Sequence, residues 1–187
     1  MEYVYILRQA LIYIIGVFWV YQLAISLCSL IKFKDKPLKI VKNHKFMAIL
    51  PAHNEEMVIG NLIDSLNNQD YDKELLDIYV IADNCTDNTA KIAKEHGAIV
   101  YERFDEEHKT NGYALDWFLK QKIKENADYD AFFIFDADNI VDKNFTKNMN
   151  KKLCQGEEVV QGYRDIKNPT DSWITAGYAL FYWTMHR

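Results

Sequence analysis

Residues 9–31 read QALIYIIGVFWVYQLAISLCSLI and carry no charged side chain. About 20 apolar residues in a helix span the ~30 Å hydrocarbon core of a bilayer, and this run is long enough. A cleaved signal peptide has a shorter apolar stretch of ~7–15 residues that ends in small residues. Leu27 ahead of Cys28 also spoils a lipoprotein-type cleavage site. The pattern predicts a retained membrane anchor over residues 1–31, crossing once.

From Phe46 onward the rhythm changes. Short apolar runs, FMAIL (46–50), DIYVIA (77–82), AIVYE (98–102), AFFIF (131–135) and EVVQGY (158–163), alternate with helix-like stretches near 55–68, 87–96, 111–125 and 142–154. Continuous apolar strands alternating with helices predict an α/β fold, a mainly parallel sheet covered by helices on both faces. Residues 32–45 form a lysine-rich linker with one proline, Pro37, and residues 46–187 form the expected sheet domain.

Charge orients the anchor. Only Glu2 and Arg8 precede the apolar run, whereas Lys32, Lys34, Lys36, Lys39, Lys42 and Lys45 follow it. By the positive-inside rule the N-terminus faces out and the sheet domain lies in the cytoplasm at the cell membrane. Anionic lipid is a second use for the same lysines. The formal charge of the whole chain is −5, so no basic signature for nucleic acid is present. Cys28, Cys85 and Cys154 are odd in number and widely spaced, which argues against a disulfide framework or a zinc site and for a reducing compartment.

In open parallel sheets, ligands bind beyond the C-terminal ends of the strands. Three such ends carry polar residues here: Pro51-Ala52-His53-Asn54-Glu55-Glu56, Asp83-Asn84-Cys85-Thr86-Asp87 and Asp136-Ala137-Asp138. In an extended chain Asp136 and Asp138 share one side. Two hard oxygen ligands suit Mg²⁺ or Mn²⁺, which takes further ligands from substrate phosphates and neutralises a diphosphate leaving group. A D-x-D of that kind also serves simply to cap the next helix. Asp83 can accept from a nucleobase imide or from ribose hydroxyls. Thr86 or Asp87 can cap the helix that follows. Glu55 either complements the dipole of the next helix or meets the ribose. His53 reads as structural, and Cys85 as a small half-buried residue. Gly112 allows close backbone approach to a ligand, and Lys109 can reach a phosphate.

The runs PAHNEE, ADNCTDNT, GYALDW and FDADN resemble, in order and spacing, the family 2 glycosyltransferases, which have the GT-A fold. The likeness covers about residues 46–165 and is nearest the membrane-bound branch that makes exopolysaccharides, near cellulose and hyaluronan synthases. The resemblance implies an inverting transferase with a UDP-sugar donor, a saccharide or lipid acceptor, and a Mg²⁺ or Mn²⁺ ion. It implies nucleotide-side contacts from Pro51, Ala52 and Glu55, a nucleobase contact from Asp83, and the D-x-D pair at Asp136 and Asp138, with Asp138 the direct metal ligand. The family often has a lysine where this chain has Asn111, which leaves Lys109 as the substitute. Gln161 and Asn168 fall on the acceptor side. The family's catalytic base and its Q-x-x-R-W motif match nothing between Asp138 and Arg187, so a truncated product or fragment is expected. The aromatic run ending the chain, with Trp173, Tyr178, Phe181 and Trp183, reads first as core packing and second as an acceptor channel or membrane surface. A non-catalytic nucleotide-sugar-binding membrane protein is the alternative function. A nucleotidyltransferase or dinucleotide-dependent oxidoreductase would need glycine-rich loops that PAHNEE does not offer.

Overall fold

The computed structural model describes residues 2–28 and 42–185; the calls on most of the 32–45 linker lie outside the described residues. The chain forms two compact units, residues 38–162 and residues 1–37 with 163–187.

The second of these contains α1 (Glu2–Cys28), which has no buried residue and is long and apolar enough to cross a bilayer. It also contains α6 (Trp173–Met185). The expectation that the α6 aromatics are core residues is not met: Trp173, Tyr178, Phe181 and Trp183 are all exposed. Before α6, Asp165 Oδ1 accepts from the Trp183 indole N–H at 2.9 Å.

Residues 38–162 build the parallel sheet. β1 (Phe46–Ala52), β2 (Leu76–Asp83), β3 (Ile99–Arg103) and β4 (Ala131–Ile134) lie in the order β3-β2-β1-β4, all pairs parallel. The connections are α2 (Ile59–Asn67), α3 (Thr89–Glu95) and α4 (Asn111–Lys124), with α5 (Phe145–Cys154) after β4. β1 is buried at every position because it is central and covered on both faces. Ala48, Leu50 and Ala52 join Ile78 and Val80 beneath Ile59, Leu62, Ile63 and Leu66 of α2 and Ala93 of α3. Met47, Ile49, Tyr79 and Ile81 take the opposite face beneath Ala114 and Phe118 of α4. That division is the period-two alternation of a strand.

Pro51 sits within central β1, opposite Ile81 of β2. A proline lacks the ladder donor. Ile49 accepts through its carbonyl from Phe135 on the β4 side, so Pro51, two residues on, turns its nitrogen the same way. The β1–β4 ladder ends at the pair Ile49 and Ile134, and no donor is missed.

Two expectations fail at this edge. AFFIF was expected as a strand buried on both faces, but β4 is an outer strand of the described sheet. Phe133 stacks on Phe46 at 4.7 Å, while Phe132 and Ile134 are each 50% exposed. EVVQGY forms no strand. Val159 is exposed, and Gly162 packs so closely that an added Cβ would come within 2.7 Å of Phe145 Cε2. The backbone at Gly162 lies against an α5 side chain, a close approach that a residue with a Cβ would not allow.

Candidate active site

The C-terminal ends of β1 and β2 each break into a turn through an asparagine of positive φ, Asn54 at 54° and Asn84 at 51°. Asparagine tolerates this left-handed region better than other side chains. The two turns are laced together. His53 Nδ1 bonds the Asp83 carbonyl at 2.7 Å. Asn54 Oδ1 accepts from the Thr86 N–H at 2.8 Å, and the Glu55 N–H donates to Thr89 Oγ1 at 2.8 Å. The Glu56 N–H donates to Asp87 Oδ2 at 3.2 Å, and Glu56 Oε2 in return accepts from the Asn88 N–H at 2.9 Å. The residues of PAHNEE and ADNCTDNT thus hold each other in place.

Several expectations are refined. α2 begins at Ile59, and the Glu55 carbonyl accepts from Val58 and Ile59 in a turn before it. Glu55 and Glu56 therefore stand ahead of the first helical turn rather than in it. Glu56 serves α3 instead, while the Glu55 carboxylate makes no hydrogen bond among the described residues. Asp87 acts as the expected cap from one place earlier, accepting from the Thr89 N–H at 3.0 Å and its hydroxyl at 2.6 Å. Partial burial opposes ionisation of Asp87, but bonds from Thr89 and Glu56 outweigh it and hold the carboxyl below its ordinary range. Cys85 is half-buried, with Sγ 3.4 Å from the Ala52 carbonyl. Burial pushes its thiol pKa up, which lowers the share of reactive thiolate.

Asp83 is 4% exposed and lies opposite Arg103 in the parallel register. Paired residues of neighbouring strands leave the sheet on the same face, here the α4 face shared with Tyr79 and Ile81. Arg103 Nη1 donates to Asp83 Oδ1 at 2.6 Å and to the His108 carbonyl at 3.0 Å, and Nη2 donates to Asp105 Oδ2 at 2.7 Å. Arg103 is itself buried, so the pair is charge-assisted and shielded from water. The sequence reading singled out Asp83 but not Arg103. The signal available was a lone arginine ending an apolar run, two residues ahead of an aspartate.

Pro51 and Ala52 are buried at the end of β1. Lys109 is exposed on the loop before α4 and makes no ion pair or hydrogen bond among the described residues. Gly112 lies in the first turn of α4 with open space around it: an added Cβ would meet only Thr110 Oγ1 at 3.7 Å. Asp136 and Asp138 do not continue the strand as an extended pair, because β4 ends at Ile134 and the Asn139 N–H closes a turn onto the Asp136 carbonyl at 3.0 Å. Both carboxylates are nonetheless exposed, with Ala137 buried between them. Asp138 Oδ1 accepts from Asn139 Nδ2 at 2.9 Å. Among the described residues no cluster of three or more His, Cys, Asp or Glu could enclose a cation. Carboxylate oxygens are the donor type that Mg²⁺ or Mn²⁺ takes, with further ligands from water or a diphosphate. A depression of about 430 Å³ lined by Asp70, Tyr71, Lys147 and Asn150, among others, lies at the opposite end of the strands and includes none of these residues.

Residues 47–186 match the family model described as Glycosyl transferase family 2, and the chain belongs to that family. A stretch of 76 residues is 40% identical to 4,4'-diaponeurosporenoate glycosyltransferase of Staphylococcus aureus strain N315. That match covers 40% of this chain but 19% of the relative, so this chain corresponds to only a small part of it. Among solved structures, the mannosyltransferase PcManGT from Pyrobaculum calidifontis, in complex with GDP-Man and Mn²⁺, superposes with a TM-score of 0.63 at 19% identity, covering 86% of this chain and 46% of that one. S. aureus TarS 1-349 in complex with UDP-GlcNAc superposes with a TM-score of 0.51 at 24% identity, covering 64% and 38%. At these identities the likeness defines the shared GT-A fold.

Proposed function

We propose that the protein takes part in inverting transfer of a sugar from a UDP-sugar to a saccharide or lipid acceptor at the cytoplasmic face of the cell membrane, as in exopolysaccharide synthesis. What supports this reading is that Glu55, Asp83, Asp136 and Asp138 fall at or just after the C-terminal ends of three neighbouring parallel strands. In this reading Asp83 receives the nucleobase imide, Pro51 and Ala52 shape the floor beneath the nucleoside, and the Glu55 carboxylate meets the ribose. Lys109 and the open backbone at Gly112 face the phosphates. Asp138, with Asp136, holds Mg²⁺ or Mn²⁺. When bound, that cation supplies charge neutralisation for the departing diphosphate. The acceptor hydroxyl attacks the anomeric carbon from the face opposite the leaving nucleotide and gives its proton to a base. The relatives' names support a nucleotide-sugar donor, and that of the diaponeurosporenoate enzyme favours an apolar acceptor. α1 serves as the anchor.

The test is binding of radiolabelled UDP-glucose and UDP-N-acetylglucosamine to the full chain in detergent, with Mn²⁺ and with chelator. Saturable binding that UDP displaces is expected. Absence of any UDP-displaceable binding would reject the proposal. Binding without transfer to any added saccharide or lipid would favour the alternative of a non-catalytic nucleotide-sugar-binding membrane protein.

A further inference from the structure

We infer that Arg103 is the positioning residue for nucleobase selection. It fixes Asp83 so that a single carboxylate oxygen, Oδ2, remains to be met by a base that carries an imide N–H. The inference rests on the reading of Asp83 as the base contact. Three observations support it. Asp83 Oδ1 is already committed, at 2.6 Å to Arg103 Nη1 and at 3.2 Å to Asn84 Nδ2, while Oδ2 makes no hydrogen bond among the described residues. The guanidinium is held by further bonds, from Nη1 to the His108 carbonyl at 3.0 Å and from Nη2 to Asp105 Oδ2 at 2.7 Å. The loop supplying those two groups is pinned to the same turn, since the Asp105 N–H donates to Asn84 Oδ1 at 2.8 Å and Asn84 Nδ2 donates to the Asp105 carbonyl at 3.0 Å.

The consequence is chemical. An aspartate carboxylate turns easily about its last bond unless both ends are defined. A guanidinium delivers its donors in a fixed plane, so one bonded oxygen sets the direction of the other. An acceptor with a fixed direction rewards a base that donates there and penalises a base that presents a second acceptor. Uracil N3–H donates; cytosine N3 and N3-methyluracil do not. Arg103 touches no substrate atom in this scheme and works through Asp83.

The experiment measures dissociation constants of UDP, N3-methyl-UDP and CDP for the full chain in detergent. Wild type, Asp83→Ala, Arg103→Met, Arg103→Lys and Asp105→Asn are compared. Wild type is expected to prefer UDP over N3-methyl-UDP by roughly tenfold or more, the scale of one charge-assisted bond. Asp83→Ala should bring the two within about twofold. Arg103→Met should also collapse the ratio, by weakening UDP and leaving N3-methyl-UDP nearly unchanged, and Arg103→Lys should restore part of it. A purely structural role would weaken all three ligands together. Removing Arg103 strands a buried carboxylate and can prevent folding. In that event Asp105→Asn, which loosens the guanidinium without touching Asp83, must lower the ratio severalfold. A folded Arg103→Met, or failing that Asp105→Asn, with the wild-type ratio overturns the inference while leaving Asp83 as the base contact. A wild-type ratio near one, unchanged in Asp83→Ala, instead overturns the reading of Asp83 itself.

Discussion

The backbone N–H of Glu55 donates to Oγ1 of Thr89 at 2.8 Å, joining the turn after β1 to the first residue of α3. Thr89 is fully buried, and its hydroxyl in turn donates a hydrogen bond to Asp87 Oδ1 at 2.6 Å. One methyl-sized change, Thr89→Val, removes both bonds and leaves the Glu55 N–H without its partner. A loss of about 1–3 kcal/mol is expected, the usual cost of stranding such a group. Thr89→Ser keeps both bonds and should stay within about 1 kcal/mol of wild type. Chemical denaturation of the full chain in detergent, followed by near-ultraviolet circular dichroism, checks the ordering. Equal stability of the valine and serine variants would contradict it.

The strand ends were legible in the sequence because burial on both faces writes a continuous apolar run, and the polar residue that ends the run marks the site. FMAIL, DIYVIA and AIVYE map onto β1, β2 and β3 within two residues at each end. EVVQGY carries the same local signature and still forms no strand, since a strand depends on a partner edge that its own residues do not encode. Side-chain partnerships across long separations leave no such trace. Arg103 meets Asp83 only because the register pairs them. Lys122, a charged residue of α4, is buried over the rings of Tyr79 and Tyr101, at 4.4 and 4.7 Å, and donates to the Tyr101 hydroxyl at 2.8 Å. Its burial disfavours the ammonium, but bonds to Tyr101 and Glu125 outweigh that and raise its pKa.

Asp87 should make the sheet domain acid-sensitive in a defined direction. Its carboxyl is held below the ordinary value of 3.8 by bonds that exist only in the folded chain. A group with a depressed folded pKa contributes stability above its unfolded value and loses it as pH falls through the folded value. Stability should therefore decline as pH drops below about 4. Asp87→Asn, which keeps an acceptor but cannot titrate, should show a shallower decline over that window. Thermal midpoints measured between pH 5 and 2.5 check this, and parallel curves for the two proteins would refute the assignment.

The orientation proposed from the lysines in the sequence after α1 can be tested by thiol labelling. Cys85 is half-buried with its pKa pushed up, so it reacts slowly on either side of a membrane. Cys154 is half-buried too. A cysteine placed at exposed Lys109 is the better probe of the sheet domain. With a membrane-impermeant maleimide, Tyr3→Cys should label in intact cells, and Lys109→Cys only after lysis. The reverse pattern would place the sheet domain outside.

Metal dependence is the sharpest test of the turn that follows β4. Asp136 and Asp138 are exposed on either side of buried Ala137, so substituting either should leave the core intact. If Asp138 is the direct ligand, UDP should bind the wild-type chain more tightly with Mn²⁺ than with chelator. Asp138→Asn should weaken the metal-supported affinity by about 1–3 kcal/mol, the range for losing a charge-assisted contact. The variant's affinity should then be nearly the same in both conditions, because an amide is a poor ligand for a hard cation. Asp136→Asn should give a smaller loss if that carboxylate acts from the second position. Asp83→Ala supplies the contrast: it should weaken UDP by a similar factor with metal and without, since the base lies away from the diphosphate. Calorimetric titration of the full chain resolves these cases. Equal wild-type affinity in Mn²⁺ and in chelator would remove Asp136 and Asp138 from the metal-binding role.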